Sequence, residues 1–184
     1  MTVRSGPERG STLIVVILVM AFMLSVGAAV LFITGIAPKV SGSVRDQEDA
    51  FNAAEAGFEA ARIQIETNLL SGAWTSLNSS CLTTPSGIDQ PSQPNYFRKQ
   101  TDISLVQTLT SGTTGVLFAN QPFTQTSSGK NDTTRTYTVF LINQGQPSDA
   151  LLITIGVIWT PSGQVLATSR LEVDLGTSSS GSMP

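Results

Sequence analysis

The fold is decided by the first third of the chain, where residues Arg9 to Leu70 read RGSTLIVVILVMAFMLSVGAAVLFITGIAPKVSGSVRDQEDAFNAAEAGFEAARIQIETNLL. No charged residue occurs between Thr12 and Ala37. This run is longer than the roughly 20 apolar residues that an α-helix needs to cross a hydrocarbon core of about 30 Å. No Asp, Lys or Arg opposes its insertion into a bilayer. We therefore predict a transmembrane helix over residues 11–37, which includes Leu13, Ile14, Val15 and Val16.

The second half of the stretch has the pattern of a helix with one apolar face. Its apolar side chains recur every three or four residues, which is the period of an α-helix; they are Phe51, Ala54, Phe58, Ala61 and Ile65. We predict that residues 38–71 form an amphipathic stem helix and that these five side chains pack against the head. Because Pro38 lacks a backbone N–H and strains the preceding turn, we expect a kink or a local break between Gly35 and Gly42.

The last third of the chain predicts a small sheet. Three runs are rich in β-branched and aromatic residues, which favour strands; they are Thr134 to Asn143, Asp149 to Thr160 and Gln164 to Leu175. We expect an antiparallel meander with one dry face and one wetter face, the dry face being covered by the apolar side of the stem. The predicted fold class is therefore α+β, a long N-terminal helix packed on a small antiparallel β-sheet head.

The segment between the stem and these strands is polar and predicts a long connection. It is rich in Ser, Thr, Gly, Asn, Gln and Pro, a composition typical of turns and loops. Two pieces of it, Ile103 to Leu109 and Gly115 to Ala119, are predicted as short strands or turns. Together with the meander it makes a β-rich head over residues 72–176. A Ser/Gly-rich tail at residues 177–184 is predicted to be disordered.

Composition excludes several classes of function. Charged residues make up 12% of the chain, the net charge is −3, and histidine is absent. A nucleic-acid-binding protein needs a basic surface, and histidine is the commonest general base and metal ligand. We predict no enzymatic activity, no cofactor, no metal and no nucleic-acid partner. The single cysteine, Cys81, is either a thiol for an intermolecular bridge or an incidental thiol in a polar loop.

A short leader precedes the apolar run. A secretory signal is cut after its apolar region at a pattern of small residues, and Ala37-Pro38-Lys39 fits that pattern poorly. The better junction lies before the run, where Arg9-Gly10 is followed by Ser-Thr-Leu-Ile-Val-Val. This junction resembles the class III signal of type IV pilins and pseudopilins. The resemblance implies a leader at residues 1–10, cleavage by a prepilin peptidase after Gly10, and Ser11 as the first mature residue, usually methylated.

A second motif sharpens the resemblance. Residues 44–58 read VRDQEDAFNAAEAGF, which is similar to the PilX-type pattern of an Arg-Asp segment leading into Ala-Phe-x-Ala-Ala-Glu-Ala. Most pilins carry glutamate at the fifth mature position, which is Val15 here. Subunits without that glutamate resemble PilX-type minor pilins and GspK-type pseudopilins, which lie at or near a filament tip. The resemblance implies a pilin-like minor pilin that takes part in pilus initiation or assembly, with the prepilin peptidase and other pilins or pseudopilins as partners.

Two other functions stay open on the sequence alone. One is a pseudopilin of a type II secretion system, and the other is a bitopic membrane anchor that presents a binding β-domain. Arg4 and Arg9 outweigh Glu8 on the N-terminal side of the apolar run. Because Lys and Arg favour the cytoplasmic side, we expect a single span in the cytoplasmic membrane, with the N-terminus in the cytoplasm. The head would then lie outside the cytoplasm, in a pilus at the cell surface.

Overall fold

A computed structural model describes residues 9–145 and 149–176. The chain divides into two compact units, residues 1–43 and residues 44–184. Helix α1, Arg9–Leu70, begins in the first unit and ends in the second. Most of the predicted leader, residues 1–8, and the predicted tail, residues 177–184, lie outside the described residues.

Helix α1 is continuous over its 62 residues. The local break that we predicted between Gly35 and Gly42 is therefore wrong, because the loss of one backbone donor at Pro38 does not end a helix whose flanking residues continue it. The helix ends at Leu70, where Gly72 takes a left-handed φ of 72°. The Trp74 N–H then donates to the carbonyl of Asn68 at 3.1 Å, a bond that satisfies a carbonyl of the last turn.

The second unit contains one antiparallel sheet in the order β1-β2-β3-β4. The strands are β1 Val116–Pro122, β2 Arg135–Asn143, β3 Ala150–Trp159 and β4 Val165–Asp174. The last three confirm the predicted meander, and the α+β fold class is confirmed with it. Strand β1 overlaps the predicted short element at residues 115–119 from Val116 onwards and joins the sheet through irregular pairing with β2.

Both faces of the central strands are buried, so the predicted wetter face is wrong. Ala61 and Ile65 of α1 pack with Val139, Leu141 and Leu152 on one face. The other face is covered by the long connection, whose buried apolar side chains are Leu82, Ile88, Phe97, Leu105, Val106 and Leu109. The connection therefore forms a second layer of the head. Its mostly polar composition gave no sign of this, because only a few of its residues are apolar and buried.

The polar side chains of β4 are paired with that same connection. Arg98 binds Glu172 with its Nη2 at 2.7 Å from Oε2, and Arg170 forms an ion pair with Asp102. The hydroxyl of Thr168 also donates to Asp102, at 3.1 Å. The alternating polar residues of β4 thus hold the connection onto the sheet.

Residues 102–108 form helix α2, Asp102–Thr108, and the predicted strand or turn at residues 103–109 is wrong. The Thr101 hydroxyl accepts a hydrogen bond from the Ser104 N–H at 3.2 Å, which caps the helix. Asp102 lies in the first turn, where a negative charge is favoured. Leu105, Val106 and Leu109 are buried, and this spacing is helical.

Candidate functional site

The N-terminal half of α1 is apolar on every side. Leu13–Leu31 has a mean hydropathy of 2.9 and none of it is buried, so by length and composition this segment is able to cross a membrane. The predicted membrane-helix residues are all exposed, Leu13 by 64%, Ile14 by 65%, Val15 by 57% and Val16 by 45%. A core helix of a soluble domain would bury one of its faces. These side chains therefore require a cover of lipid or of other apolar helices.

Two hydroxyl groups of this half, those of Ser25 and Thr34, are satisfied within the helix itself. The Ser25 hydroxyl donates to the carbonyl of Phe22 at 2.8 Å, and the Thr34 hydroxyl donates to the carbonyl of Val30 at 2.7 Å. An unsatisfied hydroxyl in hydrocarbon costs several kcal/mol, whereas a bond to the preceding turn removes that cost. Both residues are therefore compatible with an apolar surrounding.

The predicted cleavage junction lies at the start of α1. The helix begins at Arg9, so Gly10 and Ser11 belong to its first turn. Cleavage after Gly10 would leave the whole of Leu13–Leu31 in the mature chain. That segment contains no acidic residue, and Val15 would be the fifth residue of a mature chain that starts at Ser11.

In the second unit, α1 lies on the sheet through its smallest residues. Ala50, Ala53 and Ala54 are completely buried. A Cβ added to Gly156 of β3 would lie 2.7 Å from the Ala54 nitrogen and closer still to the Ala50 carbonyl oxygen. A Cβ added to Gly57 would lie 2.6 Å from the Cγ2 of Thr154. The helix backbone therefore rests directly on the sheet at a surface that we call the small-residue seat, formed by Ala50, Ala53, Ala54, Gly57, Thr154 and Gly156.

The predicted packing residues of the stem fall in different places. Ala54 and Ala61 are fully buried, Ile65 is 8% exposed, and Phe58 is half-buried against the apolar cluster of the sheet. Phe51 is 43% exposed, so its assignment to the packed face is wrong. The reason is the close approach of the helix, since the seat excludes large side chains and turns Ala50 and Ala53 towards the sheet instead.

Two polar contacts frame the start of the seat. Arg135 donates to Asp49 of α1 at 3.0 Å and to Asp132 at 3.2 Å. The amide of Gln47 donates to the carbonyl of Thr168 at 2.9 Å, so a side chain of α1 binds a backbone carbonyl of β4. These bonds hold the register of α1 along the sheet at the point where the second unit begins.

Residues 9–59 match a protein family described as PilX N-terminal. Because of this similarity we call residues 9–59 the PilX N-terminal segment. No curated protein and no solved structure matches the chain significantly. The PilX N-terminal segment covers just over a quarter of the chain and contains both the apolar span and the helical side of the seat. This similarity is consistent with a PilX-type minor pilin of a type IV pilus.

Beyond the PilX N-terminal segment, the remaining candidate residue is Cys81, which is not in an exposed loop. It is 2% exposed and belongs to the cluster between α1 and the sheet. Its thiol donates to the carbonyl of Leu77 at 3.4 Å. Burial raises the pKa of the Cys81 thiol to about 11, with a further contribution from the charge of Asp89. A buried thiol that stays protonated is a poor nucleophile, so the folded head does not present it for a bridge.

Sequence reasoning missed the small-residue seat, although two signals for it are present. Gly156 is an isolated glycine inside a strand of large apolar residues, which indicates a close approach of another backbone. The small residues Ala50, Ala53, Ala54, Gly57 and Ala61 recur at spacings of three and four. The predicted packed face included Phe51 together with Ala54 and Ala61, and it left out Ala50, Ala53 and Gly57.

Proposed function

We propose that this protein is a minor pilin of a type IV pilus, that a prepilin peptidase trims it after Gly10, and that it takes part in initiating or assembling the filament at or near its tip. The observation that carries the proposal is the PilX N-terminal match at residues 9–59, which begins at Arg9, next to the proposed cleavage site. The exposed apolar surface of Leu13–Leu31 supports it. Such a surface joins other apolar helices in a filament once it leaves the bilayer.

The tip position is supported by Val15. In the pilin family the glutamate at this position pairs with the amino terminus of a neighbouring subunit. A carboxylate in lipid is costly and is kept where it has a partner. A subunit at the tip has no neighbour ahead of it, so valine carries no penalty there and avoids the cost of burying a charge.

The head is proposed to lie outside the cytoplasm after insertion, with one span in the cytoplasmic membrane. The role of the head is structural: it determines which subunit stands beside or above this one. We expect no catalytic activity and no cofactor.

The mature N-terminus tests the processing step. Mass spectrometry of protein from its native membrane is expected to find a chain that starts at Ser11, with a methylated amino group. The variant Gly10→Val should stay untrimmed, because the peptidase is expected to need a small residue there. Gly6→Val is the matched control, since it makes the same change four residues upstream and should be trimmed normally.

Other results would contradict the proposal. A wild-type chain that starts at Met1 or Thr2 would indicate a bitopic anchor. A trimmed chain that co-purifies with secretion components and not with pilins would indicate a pseudopilin. The tip position is tested by immunogold labelling of sheared pili, where label along the whole shaft would contradict it.

A further inference from the structure

A cleft in the head lies between α2, β1 and the hairpin that joins β3 to β4. It has a volume of about 850 Å³, within the range of ligand sites in proteins. Its walls come from the end of α2 and the residues after it, from Asn120, and from the turn at residues 160–163. It lies apart from the small-residue seat, on residues outside the PilX N-terminal match.

An irregularity of β1 builds one wall of the cleft. The register of β1 against β2 shifts between Phe118 and Gln121. Asn120, between them, has a positive φ of 49°, a conformation that Asn tolerates better than most residues. Its N–H donates to the hydroxyl of Thr138 at 3.0 Å and its amide donates to the carbonyl of Val106 at 3.5 Å. Such bulges redirect a side chain out of the ladder, and here the side chain lines the cleft.

The lining carries no charge among the described residues. It mixes hydroxyl and amide side chains with apolar ones, so it offers both hydrogen-bonding groups and carbon surface. The side chains of Gln107, Ser111 and Thr133 are exposed and form no hydrogen bond with another described residue. They are therefore free to donate to and accept from a ligand, as Gln, Ser and Thr side chains do both. A charged ligand would find no opposite charge in this lining.

Trp159 adds an aromatic surface to this lining. Its indole Nε1–H donates to the hydroxyl of Thr136 at 3.0 Å, and its backbone N–H donates to the carbonyl of Thr134 at 2.8 Å. The bond to Thr136 orients the side chain and uses its one polar group inside the protein. What the half-buried ring offers to the cleft is carbon surface.

We infer that this cleft binds a neutral carbohydrate of one or two sugar rings. A pyranose presents C–H groups on one face and hydroxyl groups around its edge. The C–H face of the sugar suits the ring surface of Trp159. Its hydroxyl groups suit the amide and hydroxyl groups of Gln107, Ser111 and Thr133, which form no hydrogen bond within the described residues. The absence of charge in the described lining selects neutral sugars over acidic ones.

The test uses the full chain in phospholipid nanodiscs, without glycoside detergents, and ligand-detected saturation-transfer NMR. The probes are glucose, galactose, N-acetylglucosamine and lactose, with glucuronic acid as the acidic counterpart of glucose. At least one neutral sugar is expected to give a saturable signal below about 50 mM, a concentration that nearly fills a site of millimolar Kd. Glucuronic acid should bind more weakly than glucose.

Variants locate the signal in the cleft. The double variant Gln107→Ala with Thr133→Val changes two exposed side chains and is expected to weaken binding at least ten-fold. Gln121→Ala is the matched control, because Gln121 is also exposed but does not line the cleft, and it should bind within two-fold of wild type. Trp159→Phe should weaken binding while Trp74→Phe, in the other cluster of the head, should not.

Several outcomes would overturn the inference. They are the absence of a saturable signal from every neutral sugar, tighter binding of glucuronic acid than of glucose, and unchanged binding in the double variant. A saturable signal from an uncharged Gly-Ser peptide in place of the sugars would also overturn it and would assign the cleft to a peptide. None of these results bears on trimming after Gly10, so the proposed pilin function stands or falls separately.

Discussion

The small-residue seat predicts that one methyl group at Gly156 destabilises the head. In Gly156→Ala the new Cβ would lie 2.7 Å from the Ala54 nitrogen, where ordinary van der Waals contact begins at 3.4 Å. The Ala50 carbonyl oxygen is nearer still. Both obstacles are backbone atoms of α1, so no side-chain rotation relieves them and the helix must move away from β3.

The magnitude follows from two opposing effects. Overpacking a close-packed core costs about 1–3 kcal/mol, and a rigid backbone obstacle places this site at the upper end of that range. Replacing glycine by alanine in a strand stabilises the folded state by about 0.5–1 kcal/mol, because alanine loses less backbone entropy on folding. The overpacking cost exceeds this gain, so we expect the free energy of unfolding to fall by about 2 kcal/mol. For a head of this size that corresponds to a fall in Tm of roughly 6–10 °C.

The assay is thermal unfolding of the full chain in nanodiscs, followed by near-ultraviolet circular dichroism, which reports on Trp74 and Trp159 in the head. Gly42→Ala is the matched control, since a Cβ there meets no atom within 4 Å. It should leave Tm unchanged or raise it, because alanine is favoured over glycine in a helix by about 1 kcal/mol.

A second variant tests the geometry itself. Adding Ala53→Gly to Gly156→Ala removes the atom at 3.0 Å but leaves the two backbone obstacles in place. It should therefore fail to restore the lost stability. A Gly156→Ala protein whose Tm lies within about 2 °C of wild type would refute the direct contact of helix and sheet backbones.

Three further predictions concern the head. Phe58→Glu places a charge against the apolar cluster and should lower the free energy of unfolding by about 2–4 kcal/mol; an unchanged urea midpoint would contradict the packing of Phe58. With its pKa at about 11, Cys81 should react with a thiol reagent at pH 8 only after unfolding, and rapid labelling of folded protein would contradict its burial. The hydroxyl and N–H of Thr134 hold the pKa of Asp132 below its usual value, so this carboxylate stabilises the head above its unfolded pKa, and the benefit disappears as the pH falls through the lower folded pKa. The Tm difference between wild type and Asp132→Ala should shrink from pH 6 to about pH 3, and a difference independent of pH would contradict the contribution of the charge.

Much of the architecture could be read from local patterns. The uncharged run of α1 and the β-branched and aromatic runs of β2 to β4 are signals within one element, because period and composition act on neighbours in the chain. The Thr-Pro-Ser-Gly turn at residues 160–163, between β3 and β4, is likewise a local signal, because such a sequence favours a tight turn between antiparallel strands. These features can be predicted without knowing which segments pack against them in the core.

The errors arose where a distant segment decides the environment. The outer side of the sheet reads as polar in β4, yet Arg170 and Glu172 are paired with the connection that lies over it. Helix α2 depends on the cap at Thr101 and on burial of Leu105 and Val106, which a polar average hides. The cleft at Asn120 depends on a bulge, and no local pattern marks it.

The small-residue seat also has an entropic consequence. Alanine and glycine have no rotamers to lose, so α1 is fixed to β3 without freezing side-chain motion there. Substitutions are tolerated unequally around the helix as a result. The seat accepts almost no larger residue, whereas the exposed positions, such as Phe51 and Ile63, can vary without disturbing the head. Residues on the exposed side of the helix can therefore change to suit different neighbouring molecules, while the packing of α1 on the sheet stays the same.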